Sequence, residues 1–296
     1  MTSGRVILRA ATLWAALSAF SVQAGISAGV QLSAQYDSSV LPDPELTDAT
    51  TQAAWGQKFS GYIGADTMLS ERWRVQGRFD HSRSQWQDIT GYDSDIQSGF
   101  IRLSRRGVWS PELALLAADA HVDGRDFLQL RRVSPAFGYL ISPRWYLRLQ
   151  GDISDKQFND YPDRDSQQVR VRSTLYWLMD KTDRYLSLQG GIKRENAKAD
   201  LYSYDAFLSR LRWKQAVGSW FWFLTLKTEY REYQQERVSL GEARQDMRWR
   251  LSSSVEWPLS VGFRLTVEAG HDIYHSNLDV ADYSQNRFET GLHWDY

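Results

Sequence analysis

The chain has 296 residues, a formal net charge of -1, a mean hydropathy of -0.50 and no cysteine. A near-neutral chain carries no electrostatic footprint for nucleic acid, and the lack of cysteine excludes a disulfide framework, a thiolate metal site and a cysteine nucleophile. Aromatic residues reach 14%, with 13 Trp and 15 Tyr, and the 24% of charged residues are threaded through apolar stretches instead of being gathered into polar loops.

The chain opens with MTSGRVILRAATLWAALSAFSVQAGIS. Arg5 and Arg9 make a positive start, Ala10 to Val22 form an apolar stretch, and Val22-Gln23-Ala24 has the small-x-small character of a signal-peptidase site. Residues 1–24 therefore read as a secretory signal peptide and 25–296 as one exported domain. The apolar stretch is too short to be an anchoring helix, and no cysteine follows the cleavage site to carry a lipid. Past residue 24 no run approaches the ~20 apolar residues of a spanning helix.

From Gly25 onward helical periodicity is scarce and period-2 alternation recurs. It predicts fourteen strands near 26–36, 57–69, 73–86, 95–106, 112–121, 126–141, 144–158, 167–179, 184–196, 204–217, 219–234, 246–257, 262–275 and 285–296. Three show the pattern most clearly. In the eighth, Val169, Val171, Leu175 and Trp177 oppose Arg170, Arg172, Thr174 and Tyr176. In the twelfth, Met247, Trp249, Leu251, Val255 and Trp257 oppose Arg248, Arg250, Ser252, Ser254 and Glu256. In the thirteenth, Phe263, Leu265, Val267, Ala269 and Ile273 oppose Arg264, Thr266, Glu268 and Asp272.

The connections alternate in kind. Tight ones fall at Ser70–Arg72, Gly107–Pro111, Ser142-Pro143, Lys181–Asp183, Val217–Ser219 and Pro258–Val261. Longer polar ones fall at 37–56, 87–94, 121–126, 159–166, 197–203, 235–245 and 276–284. Short and long connections in turn, with an even strand count, are what an up-and-down bacterial barrel shows. The first connection, around Asp37 to Gln57, reads as an outer loop, with an inward-folded plug as its alternative.

Fourteen strands closed with the apolar face inward would enclose a space too wide for side chains to fill. Turning the barrel inside out removes the difficulty, because the apolar face meets lipid and the charged face lines a wet lumen. The predicted fold is an all-β transmembrane up-and-down antiparallel β-barrel. Trp73, Trp109, Trp145, Tyr185, Trp220 and Trp257 lie at the tight turns, where an interfacial aromatic girdle belongs.

The chain ends in NRFETGLHWDY, with Phe288, Leu292, Trp294 and Tyr296 on one face and Arg287, Glu289 and Asp295 on the other. An alternating segment that closes on an aromatic residue resembles the C-terminal signal of Gram-negative outer-membrane barrels. That resemblance implies residence in the outer membrane, contact with its lipid and recognition by the barrel-assembly machinery. SNLDVADYSQNRFETGLHW and RRVSPAFGYLISPRWYLRLQG look like strand-turn-strand segments of a more particular group. They are similar to the fourteen-stranded barrel of surface lipoprotein assembly modifiers and to polysaccharide-export porins. This second resemblance implies an export conduit served by a periplasmic helical-repeat partner supplied by another chain.

With the apolar face outward, the lumen carries a basic ladder of Arg170, Arg172, Lys193, Arg210, Arg212, Lys214, Lys227, Arg231, Arg248 and Arg250. Acids there are Glu229, Glu256, Glu268, Asp272, Glu289 and Asp295, concentrated on the last two strands. The predicted function is an outer-membrane channel, porin-like or an export conduit for polymer or protein, whose transverse field guides anionic or dipolar solutes. Two other readings stand beside it. The same charges serve as a lattice of salt bridges in a structural or surface-interaction barrel without a through-path. Alternatively, Ser253 and His271 on the outward wall form the minimum apparatus of a lipid-modifying enzyme, a hydroxyl beside an imidazole. The flanks of Ser253, LSSSV, carry no hydrolase motif, so no catalytic residue is assigned and no enzyme is expected. His81, His121, His275 and His293 are scattered, and no metal or cofactor is expected.

Overall fold

The computed structural model describes residues 25–40 and 51–296. The predicted signal peptide and residues 41–50 of the first outer connection lie outside the described residues. The strands are β1 (Gly25–Val40), β2 (Gln52–Met68), β3 (Trp73–Trp86), β4 (Ser94–Arg105), β5 (Trp109–Val122), β6 (Arg125–Ser142) and β7 (Trp145–Phe158). They continue as β8 (Ser166–Asp180), β9 (Arg184–Ala197), β10 (Tyr204–Val217), β11 (Trp220–Arg237), β12 (Glu242–Ser260), β13 (Phe263–Ser276) and β14 (Tyr283–Asp295). Each is antiparallel to its sequence neighbours, and β1 pairs with β14, so the fourteen strands form a closed barrel. Among the described residues no helix is long and apolar enough to cross a membrane.

Both ends of the barrel chain and the tight turns share one rim, which in barrels of this class is the periplasmic one. The strands run from 12 residues in β4 to 19 in β12. A tilted strand needs only about 9–11 residues to cross the hydrocarbon. The surplus projects at the outer rim, which shortens the outer connections relative to the sequence expectation. Positions 121–126, expected as a longer connection, form a two-residue turn in which Asp123 and Gly124 take φ of 51° and 74°. Positive φ at both central residues is the geometry that suits a two-residue hairpin, and Asp-Gly is its sequence signature. Positions 235–245 likewise shrink to 238–241, and β1 and β2 extend into the 37–56 stretch from either side.

Side chains alternate between lipid and lumen throughout. Leu32, Ile63, Leu115, Ile153, Val171, Leu188 and Ile192 point outward and stay exposed, as a lipid-facing belt requires. Near the periplasmic rim Trp109 stacks on Tyr139 at 4.2 Å and Trp145 on Trp177 at 6.0 Å. Tyr185, expected in this girdle, turns the other way. It lies opposite Lys214 and contacts the inward ring of Tyr176 at 5.9 Å. Trp177 takes the outward place at that turn.

The seam between β1 and β14 is clamped from within. Tyr62 of β2 lies over Gly29 of β1, where a Cβ would collide with its ring, and its hydroxyl donates to Asp295 Oδ1 of β14 at 2.9 Å. The Arg78 guanidinium covers the same ring at 3.8 Å. Higher up, Gln31 donates to Glu289 at 3.0 Å and Ser39 Oγ to the Ser284 carbonyl at 3.0 Å. Glycine at position 29 is thus a steric requirement of closure. Gly29→Val is expected to displace Tyr62 and cost about 1–3 kcal/mol, read as a lower unfolding temperature in heat-modifiable gel migration. Deleting Trp294 to Tyr296 removes the Ala28–Tyr296 backbone pair (2.8 and 3.3 Å) and the outward aromatics, and should abolish outer-membrane insertion in a cell-fractionation assay.

Candidate functional site

The largest convergence of chemistry-bearing side chains is the lumen wall. Strand alternation places all ten predicted basic residues and all six predicted acids on the inward face. Cross-strand pairs confirm one common side, for example Arg170 with Lys193, Arg210 with Lys227, Lys227 with Arg250, and Glu268 with Glu289. Phe288, Leu292, Trp294 and Tyr296 lie on the outward face, at the positions the terminal alternation implies.

Most of the ladder is neutralised. Asp152 on β7, 1% exposed, accepts from Arg170 at 2.9 Å, Arg172 at 2.8 Å, the Ser134 hydroxyl at 2.7 Å and the Gln150 amide at 2.8 Å. Glu229 takes Lys193 at 2.6 Å and Arg231 at 2.5 Å. Asp246 on β12 binds Arg244 at 2.9 Å, Arg248 at 3.5 Å and the Ser276 hydroxyl at 2.8 Å. Asp272 bridges Arg287 at 3.1 Å and Arg250 at 3.7 Å. Glu195 binds Lys156, with Ser166, Gln168 and Tyr204 completing its shell. The acidic strands are drawn in too, since Glu289 meets Lys58 at 3.5 Å and Asp295 meets Arg264 at 3.3 Å. The predicted separation into a basic and an acidic wall is therefore replaced, over most of the lumen, by local clusters of one carboxylate between two cations.

Two places depart from that rule: Arg132 on β6 meets the Ser154 hydroxyl at 3.0 Å but no carboxylate within ion-pair distance, and the larger departure lies on β10 and β11. Among the described residues, Arg210, Arg212 and Lys214 on β10 and Lys227 on β11 have no carboxylate within ion-pair distance. Aromatic faces stand beside them instead. Arg212 lies 4.9 Å from the Phe223 ring and Lys214 lies 4.1 Å from the Phe221 ring. Both rings point inward on β11, and Tyr176 and Tyr185 continue the aromatic surface along the neighbouring strands. A ring face attracts a cation weakly and leaves its charge available to a solute. Sequence reasoning placed the four cations in the lumen. It did not separate them from the neutralised ones, nor find the inward aromatics. Trp220 to Phe223 are all aromatic and show no contrast of their own; only the parity of Lys227 and Arg231 further along β11 assigns Phe221 and Phe223 to the inward face.

A second feature escaped the sequence reading. The inward faces of β4, β5 and β6 carry Ile96, Phe100, Leu116, Leu128 and Leu130 with Ala114, Ala118 and Ala120 between them. Arg132, directly opposite Leu116, and Arg102, 5.2 Å from the Phe100 ring, border this stretch and Ser98 interrupts it; the rest of its inward side chains are apolar.

The Ser253 and His271 candidates share the outward face but do not meet as a pair. The register sets Ser253 opposite Ala269 and His271 opposite Leu251. Ser253 accepts from the Trp222 indole at 2.8 Å, and His271 Nδ1 is bonded to Asn286 at 2.8 Å. Among the described residues no group of three His, Cys, Asp or Glu is placed to hold a metal ion.

No protein family and no curated protein sequence matches the chain. Solved structures do match. The fold is similar to that of OmpT, an outer-membrane protein of Vibrio cholerae, at 8% identity and a TM-score of 0.55, over 94% of this chain and 99% of that one. Its loop L8 deletion mutant gives 0.53 at 8% identity, over 92% and 99%. An anion-selective porin from Comamonas acidovorans gives 0.51 at 8% identity, over 93% and 99%. At such identities the likeness is one of fold. A closed fourteen-stranded antiparallel barrel with an exposed apolar belt and these neighbours defines an outer-membrane β-barrel of a Gram-negative bacterium.

The buried clusters predict a stability effect. Asp152→Asn leaves Arg170 and Arg172 without their counter-charge, and should cost about 3–5 kcal/mol in equilibrium urea unfolding from lipid.

Proposed function

We propose that the chain is an outer-membrane channel that favours small anionic solutes, with Arg210, Arg212, Lys214 and Lys227 as its selecting group. The observation that carries this reading is the absence of carboxylate partners at these four among the described residues, in a lumen where nearly every other cation has one. Arg210 stands directly opposite Lys227, and Lys227 directly opposite Arg250. Like charges in facing positions destabilise a sheet by up to about 1 kcal/mol per pair. Such a row gains a purpose when a mobile anion occupies it. Lys227 and Glu268 point inward yet remain exposed, so water reaches the lumen at their level.

An anion drawn to the cluster exchanges hydration for guanidinium and ammonium donors, and leaves readily because no donor set encloses it. Export of an anionic polymer, with a periplasmic helical-repeat partner, uses the same cations. Diffusion of small solutes is preferred because the bare cations form one compact cluster instead of a track along the full height of the lumen. No catalytic step is assigned to the protein. Phe288, Leu292, Trp294 and Tyr296 act as the signal read by the assembly machinery.

Single-channel recording in planar bilayers under a potassium chloride gradient tests the reading. The wild type should show a reversal potential displaced toward that of chloride. Arg210→Gln combined with Lys227→Gln should reduce the chloride-to-potassium permeability ratio roughly fivefold. Folded, inserted protein that gives no conductance steps would sink the proposal.

A further inference from the structure

We infer that the solute is amphipathic, an anion carrying an aromatic or other bulky apolar body. This deepens the channel reading and rests on its anion-selecting group. The added observation is the apolar wall. Phe100 pairs with Leu116, Ala118 with Leu130, and Ala120 with both Ile96 and Leu128, so the apolar side chains form one patch across β4, β5 and β6. None of its large side chains is buried, and Ile96 is 41% exposed. Apolar surface left against water forfeits about 25 cal/mol per Å². On the outer face such surface is covered by lipid. Inside the lumen lipid has no place, and the wall needs another occupant.

The ring order says what that occupant carries. With fourteen strands in sequence around the barrel, β11 stands across from β4, which opens the apolar wall. Lys227 therefore looks over the lumen toward the Phe100 strand, and Arg210, Arg212 and Lys214 stand one strand further on. The cationic side is not purely polar, since Phe221 and Phe223 lie between the charges. A hydrated inorganic anion uses only the charges. A compact anion with a ring or branched body uses the charges, the ring faces and the opposite wall, and each contact removes apolar area from water. Anionic sugars, with hydroxyls all around, would desolvate polar groups against Leu116 and Leu130 without replacement bonds, and are disfavoured.

The test is equilibrium binding to the full mature chain in lipid nanodiscs, with protein-free nanodiscs as blank. The probes are naphthalene-2-sulfonate and methanesulfonate, which share one permanent charge and differ in the apolar body. The wild type should bind naphthalene-2-sulfonate about tenfold more tightly than methanesulfonate. Leu116→Asn with Leu130→Asn should remove most of that difference while leaving methanesulfonate binding unchanged. Phe100→Gln, on a different strand, serves as the independent variant, and folding of each is checked by heat-modifiable migration. Arg210→Gln with Lys227→Gln should weaken both probes alike. Equal affinity for the two probes in the wild type, the result expected were the wall covered by the chain's own residues, would overturn the inference. So would an affinity difference that survives both wall variants. Binding does not require conductance, so failure of the channel reading and failure of this one are separately visible.

Discussion

A backbone N–H or C=O left without a partner in hydrocarbon costs several kcal/mol, and the barrel's closure is the answer to that cost. Every strand has two hydrogen-bonded neighbours only because β14 returns to β1. The contacts at the seam show how much of the chain is committed to this one join. The last residue bonds Ala28, Tyr62 reaches over Gly29 to Asp295, and Gln31 and Ser39 reach across higher up. The glycine has to be small because the tyrosine must lie flat on the wall to reach β14.

Closure of fourteen strands then dictates what the inside must be. The enclosed space exceeds what inward side chains can fill with apolar packing, so the wall is polar and charges stand close together. Register decides how they combine. Asp152, Glu229, Asp246 and Asp272 each sit between two cations, drawn from their own strand, an adjacent one or, for Lys193 of β9 with Glu229 of β11, the strand beyond. Desolvating a carboxylate is costly unless its lone pairs are satisfied, and two cations, joined at Asp152 and Asp246 by a hydroxyl or amide, supply the donors. The clusters brace β7 to β14 as struts. Against that background the four cations of β10 and β11 are informative because they are not struts, and the apolar wall of β4 to β6 is informative because it is not polar. The two departures occupy one lumen and together describe a solute with two kinds of surface.

Strand number and sidedness were readable from alternation because a lipid-facing wall enforces a strict period of two, and Trp73, Trp109 and Trp145 mark the turns. Connections were read less well. Polar residues around Asp123-Gly124 and Arg237 to Glu242 look like loops, but the strands rise above the bilayer, where water tolerates polar residues on both faces and alternation fades. Tyr185 adjoins a turn, and that position alone suggests the outward girdle. The register of β9 against β10 puts it beside Lys214, inside.

The sequence by itself determined the class, the strand count, the inward set of charges and the outward face of the terminal strand, since each depends on local periodicity or on composition. Only the tertiary structure decided which charges cancel. Ion pairs join residues far apart in the chain, such as Asp152 with Arg172 or Asp272 with Arg287, and their partnership depends on cross-strand register. The bare cluster and the apolar wall become visible only once that register is set, because each is defined by what stands beside and across from it.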